Sequence, residues 1–374
     1  MQESKIVFAA SAISATSSTL FLLMPLLIGV LIDDLGLSNQ DAGFLASIYF
    51  GGYLGVCLSI VFWIHKVNWR WLSMLAHGLL IGGLSGAAFT VNYSFLLCLF
   101  FVAGCGGGTL FSLCIKILSA SSKPDRNFGF KLAAEQLVAA VLLFLLPWLV
   151  ISNWGFRGFC ISVALVFAVL SISTTWLPKA LNRPDETTHA SNSQGTIGVW
   201  LALFCLMLFM AGLSGVWAFV ERIASSNDIS AVNIGRALSY GVIGGGLGAF
   251  AAAALNDRHG RAIPLLVSLV LLSAVLFVLS INFDSAIFIV VCIFLSGMWN
   301  FSMAYQMGVV ANTDKSGTLS VLMSSGLALG AMIGPGIAGL IIRDNNFIPA
   351  TVFAFISILL ASIVLASIDS RSRG

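Results

Sequence analysis

The chain has 374 residues, of which 59% are apolar and only 9% charged, with a net charge of +3. A soluble domain carries about 25% charged residues, so there is too little polar surface here to cover a water-facing fold, and much of the chain must face lipid. No basic patch points to nucleic acid. The seven cysteines (Cys57, Cys98, Cys105, Cys114, Cys160, Cys205 and Cys292) lie in apolar stretches without a CxxC pairing, which gives no disulfide framework or zinc site to expect.

A helix needs about 20 apolar residues to cross a bilayer. In chain order, the apolar runs predict twelve spans at 6–32, 42–64, 71–91, 95–118, 129–151, 157–177, 197–220, 231–255, 262–281, 286–309, 318–342 and 348–368. The first run is too long for the core of a cleavable signal peptide. Barrel strands would be short and alternating, whereas these runs are long and continuous. The longest polar stretch between spans, 178–196, contains Pro184, Ser, Thr and both charge signs. It reads as a flexible linker between an N-terminal half, 1–177, and a C-terminal half, 197–374.

The cations fix an expected orientation. With a cytoplasmic N-terminus, the inner side holds Lys5, Lys66, Arg70, Lys116, Lys123, Arg126, Lys131, Lys179, Arg183, Arg258, Arg261, Lys315, Arg371 and Arg373, and the outer side only Arg157, Arg222, Arg236 and Arg343. Fourteen against four places both termini in the cytoplasm, which requires an even number of spans. The halves also resemble each other at an offset of 193 residues (245 − 52): the run Gly51–Gly55 falls on Gly244–Gly248, and Gly104 on Gly297. Two six-helix halves that both start inside are parallel repeats about an axis along the membrane normal. The competing reading is chance similarity between Gly-rich helices.

After span 8 the chain reads Asn256-Asp257-Arg258-His259-Gly260-Arg261. This resembles the D-R-x-G-R signature of the major facilitator superfamily, at the loop between the second and third helices of a half. With six plus six helices and a central cytoplasmic linker, the resemblance covers the whole chain. It implies an all-α membrane fold of two six-helix bundles and a secondary transporter of the cytoplasmic (inner) membrane. The aligned first-half stretch, Ile64-His65-Lys66-Val67-Asn68, lacks the Asp and the Gly. Span 11 carries Gly330-Ala331-Met332-Ile333-Gly334-Pro335-Gly336, like a motif that drug antiporters of the family carry in span 5, whereas span 5 here lacks it.

The motif also has a physical reading. Asp257 can accept N–H bonds at the positive end of a helix dipole, Gly260 permits a tight reversal, and Arg258 and Arg261 can meet Asp314 before span 11. Together these form a conformational latch, or else they anchor helix ends in headgroups.

Ionisable groups inside a membrane are costly and mark functional sites by default. Glu135 in span 5 has Lys131 one turn earlier and Lys116 at the inner end of span 4 as possible partners. It is a proton site or a structural ion pair. Glu221 closes the apolar run of span 7, with Arg222 beside it, Arg236 on span 8 and Trp217 on the same helix face. This group is a gate, a proton site or a substrate anchor, or else a solvated helix end.

The resemblance also implies that spans 1, 4, 7 and 10 line a central cavity. Span 1 carries Ser11, Ser14 and Ser18, span 4 carries Thr109, Ser112 and Lys116, and span 10 carries Trp299, Asn300, Met303, Tyr305 and Gln306. Each Ser or Thr can instead bond its own backbone. No GxxxxGK[ST] loop occurs, so ATP is not the expected energy source. No HExxH or GxSxG occurs and the four His are scattered, so no metal, no cofactor and no enzymatic chemistry are expected. The expected partners are the bilayer, a small organic solute and a proton. The rival readings are an efflux antiporter for amphipathic compounds and a sensor or scaffold without transport.

The topology makes a direct prediction. In a cysteine-free background, single cysteines at His189 and Arg373 should resist membrane-impermeant maleimide in intact cells and react after the membrane is opened. Labelling of both sites from outside would remove the topology.

Overall fold

A hydrocarbon core offers no hydrogen bonds to the backbone, so the chain satisfies its amides within helices. In a computed structural model that describes residues 2–179, 197–255, 260–314 and 322–373, the regular structure is helical, with one isolated bridge between Arg343 and Asn346. The N-terminal helices are α1 (Gln2–Leu22), α2 (Met24–Leu35), α3 (Asn39–Ser59), α4 (Trp69–Ala87), α5 (Tyr93–Ser119), α6 (Pro124–Leu146) and α7 (Ser152–Ser171). The C-terminal helices are α8 (Ile197–Ser225), α9 (Ala231–Leu255), α10 (Ala262–Val278), α11 (Ser285–Thr313), α12 (Met323–Ile341) and α13 (Ile348–Arg373). Because α1 and α2 form one span broken at Leu23, just before Pro25, these helices make twelve spans. Proline removes a backbone donor and clashes with the preceding turn, which accounts for the break.

Among the described residues, nine helices are long and apolar enough to cross a membrane on those grounds alone. The difference from twelve has structural causes. The run Arg126–Trp176 counts once in the nine, yet Gly155 leaves helical geometry at φ 51° and ψ −139° inside it. There the chain reverses, and the start of α6 and the 3₁₀ turn after α7 both return to the start of α1. Ser122 donates to Glu3, and Phe8 packs on Trp176 with ring centroids 5.7 Å apart. Helix α10 is shorter, and α4, which carries Arg70, Ser73 and His77, is not among the nine.

The chain divides into two compact units, Met1–Arg183 and Pro184–Gly374. The expected linker lies outside the described residues from 180 to 196. In the first unit, one end is tied by Trp69 N–H to the Lys179 carbonyl at 2.9 Å and by the Ser73–Thr174 hydroxyl pair at 3.1 Å. At the other end the Asp34 carboxylate accepts from the Phe156 amide, where α7 resumes after Gly155. A side chain at Gly155 would run into that carboxylate, and its positive φ also favours glycine. Arg157 donates to the Ala88 carbonyl at 3.1 Å and lies over the Phe89 ring.

Both units rest on glycine-mediated approaches between their second and fourth spans. A Cβ on Gly52 of α3 would meet the Phe101 carbonyl of α5, and one on Gly104 the Tyr49 carbonyl. In the second unit, a Cβ on Gly244 of α9 would meet the Ile293 carbonyl of α11, and one on Gly248 the Gly297 carbonyl. The glycines paired by the 193-residue offset thus serve the same helix crossing in each unit. In lipid, helices gain little from hydrophobic association, and close backbone approach at small residues supplies the contact instead.

This packing predicts a contrast between two glycines of α3 and α5. Gly104→Ala should destabilise the protein by about 1–3 kcal/mol, because the added methyl overpacks a backbone contact. Gly55→Ala, whose methyl meets open space, should shift stability by less than about 0.5 kcal/mol. Thermal unfolding in detergent measures both. Equal losses at the two positions would refute the close-contact assignment.

Candidate functional site

The N-terminal unit contains a buried polar centre built from four helices. On α1, Ser14 and Ser18 stand one turn apart and share a face. Both hydroxyls donate to Oε1 of Glu135 on α6, Ser18 at 2.9 Å. The same Oε1 receives the Lys131 ammonium at 2.8 Å, from one turn earlier on α6. The two side chains keep only 7% and 6% of their surface exposed. Lys131 also lies over the Phe111 ring of α5, 5.1 Å from its centroid, a cation–π contact that strengthens when desolvated.

Neighbouring residues extend the centre. Ser17 donates to the Gly107 carbonyl at 2.9 Å and lies 3.3 Å from the Tyr53 hydroxyl of α3. The Tyr53 and Phe111 rings pack at 5.7 Å. The hydroxyls of Ser11 and Tyr49 are buried without a hydrogen-bond partner. The other span 4 candidates face elsewhere. Thr109 donates to its own helix at Cys105, 2.8 Å away, and Ser112 contacts Cys57 at 3.6 Å. Lys116 is exposed.

A separate groove of about 670 Å³ runs between α1, α6 and α7, lined by Phe8, Ser11, Ala15, Phe130, Leu137 and Leu170 among others. It lies beside the carboxylate centre, and neither Glu135 nor Lys131 lines it.

The equivalent crossing in the C-terminal unit is built differently. Adding 193 to Lys131 and Glu135 gives Ser324 and Ala328, and to Ser14 and Ser18 gives Met207 and Ala211. There α8 and α12 approach through Gly330 and Gly334, which abut the Met207 and Ala211 carbonyls, and Ser214 donates to the Gly330 carbonyl at 3.3 Å. The ion pair at this crossing therefore belongs to the N-terminal unit.

Glu221 lies inside α8, which continues to Ser225, and is 6% exposed. The expected helix end is thus four residues further on. Arg222 holds the Glu221 carboxylate with two hydrogen bonds, at 2.6 and 2.9 Å, the strong bidentate geometry of guanidinium and carboxylate. Arg236 is exposed on α9. Trp217 packs edge-on against Trp299 of α11 at 6.4 Å. On α11, Asn300 donates to its own helix at Ser296, 3.0 Å away. Gln306 is fully buried and donates to Ser302 at 3.1 Å, while its Oε1 has no partner.

Asp257 and Arg258 of the expected latch lie outside the described residues. Gly260 has a φ of 73°, which fits the tight reversal expected of it. Arg261 opens α10 and joins Asp369 of α13: its amide donates at 3.1 Å, and its guanidinium approaches at 3.6 Å. Its side chain lies against Gly308 near the end of α11. Asp314 caps the end of α11 and is buried.

Sequence reasoning missed Ser17, Tyr53, Phe111, Asp34 and Asp369 as structural partners. Tyr53 had a signal, as a hydroxyl-bearing ring within a glycine-rich helix face. The single carboxylate Asp369 near the chain's end had none, since its partner is more than a hundred residues away.

Known proteins share this arrangement of helices. The family model described as Major Facilitator Superfamily matches residues 7–204 and 199–372. A point mutant of the nucleoside transporter NupG is similar in structure, with a TM-score of 0.77 at 12% identity, covering 98% of this chain and 100% of that one. NupG without that mutation gives 0.77 at 14% identity, covering 98% of both chains. A bacterial homologue of the human lysosomal transporter Spinster, inward-facing and unoccupied, gives 0.74 at 12% identity, covering 99% and 98%. No curated protein sequence matches significantly. The chain belongs to the major facilitator superfamily, and is a membrane transporter rather than an enzyme.

Proposed function

We propose that this transporter is secondary active. It moves a small organic solute across the cytoplasmic membrane by alternating access, with both termini inside and a proton gradient as the energy source. The observation that carries the coupling is the Glu135 centre. A carboxylate sealed between α1 and α6 has one oxygen holding three donors, Ser14, Ser18 and Lys131, while Oε2 has no partner among the described residues. A proton can settle on Oε2 without breaking any of those contacts.

Burial disfavours a charged carboxylate and a nearby cation favours it, so a change in their spacing during a transport cycle can load and release a proton. Span 1 lines the cavity that the family resemblance implies, and its Ser14 and Ser18 connect that helix to the titrating group. Glu221, the other carboxylate candidate, is clasped by Arg222, which suits a fixed counter-charge near Trp217 and Trp299. Gly260, Arg261 and Asp369, with Asp257 and Arg258 just ahead in the chain and Asp314 at the end of α11, form the proposed latch at the inner end.

Export of amphipathic compounds is a second reading, favoured by the apolar groove beside α1 and α6.

Proteoliposomes with an imposed pH gradient test the proposal, with panels of organic acids, sugars, nucleosides and amphipathic drugs. Wild-type protein should accumulate one class against its gradient. Glu135→Gln should abolish pH-driven accumulation while exchange across the bilayer continues. Glu221→Gln should retain pH-driven accumulation, at a rate reduced about tenfold or less. Loss of coupling in Glu221→Gln alone would transfer the role to that residue. Binding without flux would identify a sensor.

A further inference from the structure

We infer that the cargo is a small organic monocarboxylate, and that Lys131 is the charge that receives it when Glu135 takes up a proton. The inference rests on the transport reading of this site and adds the chemistry of its cargo.

The first ground is donor accounting. A lysine ammonium has three N–H donors. Lys131 uses one on Glu135 Oε1 at 2.8 Å and turns toward the face of Phe111. No other oxygen among the described residues takes the remaining two. An ammonium so nearly buried is costly unless its donors are filled. A carboxylate has two oxygens to offer, which matches the two vacant donors.

The second ground is charge balance. With Glu135 ionised, the Lys131–Glu135 pair is neutral, and an added anion would leave an uncompensated negative charge in a low-dielectric site. A proton from water on Glu135 Oε2 converts the carboxylate to the acid and leaves the pair with one positive charge. A single anionic group restores neutrality. A dianion would again leave one charge unbalanced, and a neutral solute would leave the ammonium uncompensated. One proton and one monoanion therefore enter together, and the pair closes on itself after both leave.

The third ground is the surroundings. Ser14 and Ser18 keep Glu135 in place in either protonation state, because a hydroxyl can donate to a carboxyl oxygen in both. The other titratable side chains with an electrostatic effect on the pair are Cys114 of α5 and Tyr53 of α3. Both are neutral when protonated, so neither supplies a rival counter-charge. The rings of Tyr53 and Phe111 beside the ammonium suit an apolar body attached to the carboxylate.

Ligand-induced thermal stabilisation of the purified protein tests the inference. The monocarboxylates are gluconate and benzoate, the dianion is succinate, and the neutral solutes are uridine and sorbitol. At about pH 5.5 a monocarboxylate should stabilise the wild type, and the neutral solutes and succinate should not. Affinity should fall by about tenfold per pH unit once Glu135 ionises, because one proton is linked to one anion. Glu135→Gln should bind the same monocarboxylate with no such pH dependence. Lys131→Gln leaves a buried carboxylate unpaired, so the double substitution Lys131→Gln with Glu135→Gln serves as the folded control. It should lose monocarboxylate binding by about tenfold or more.

Binding of uridine, sorbitol or succinate in place of the monocarboxylates, no binding by either monocarboxylate, or undiminished binding in the double variant would each overturn the inference. These outcomes are separable from failure of the coupling reading. That reading fails if Glu135→Gln still accumulates cargo under a pH gradient, whatever the cargo's charge.

Discussion

Every peptide group that crosses a bilayer must find its hydrogen bond within its own segment, because lipid offers none. That constraint turns the chain into a series of helices and removes hydrophobic association as the force between them. Close backbone approach has to substitute. Gly52 and Gly104 seat α3 against α5, and Gly244 and Gly248 seat α9 against α11. The polar side chains then settle according to whether a neighbouring helix, at that spacing, brings a partner. Thr109 and Asn300 turn back to their own helices, whereas Ser14, Ser17 and Ser18 reach across to others.

The two halves share their glycine crossings and differ at the crossing of their first and fifth spans. In the second half, Gly330 and Gly334 bring α12 close to α8, leaving room for little beyond Ser214. In the first half, α1 and α6 enclose a lysine, a glutamate and two serines. A buried ion pair is weak support for stability, since its desolvation offsets much of its Coulomb attraction. Its retention on one side of a repeated scaffold fits a working role better than a structural one. The second half keeps its ionic contacts in other places, with Arg222 on Glu221 inside α8 and Arg261 on Asp369 where α10 meets α13.

Much of the fold was legible in the sequence. The spans predicted at 231–255 and 197–220 correspond to α9 (Ala231–Leu255) and α8 (Ile197–Ser225), and the last begins at Ile348 as expected. Glu135 with Lys131, one turn apart on one helix, was legible too, because helical spacing alone sets that contact. Ser14 and Ser18 could be read as a stripe, but not as donors to Glu135, which lies more than a hundred residues away. The reversal at Gly155 was hidden inside a continuous apolar stretch, since hydropathy does not register a single residue at positive φ.

The sequence by itself determined that this chain crosses the membrane in twelve spans, that it is built from two related halves, and which few ionisable groups lie within them. These follow from the length of apolar runs, from the placement of cations and from a short motif, all properties that run along the chain. The tertiary structure alone decided which of those groups meet. Arg261 found Asp369, Asp34 found the Phe156 amide, and Glu135 gathered two serines from α1. The physical reason is that contact between helices depends on how each is rotated about its axis and how closely it can approach, and small residues far apart in sequence set both.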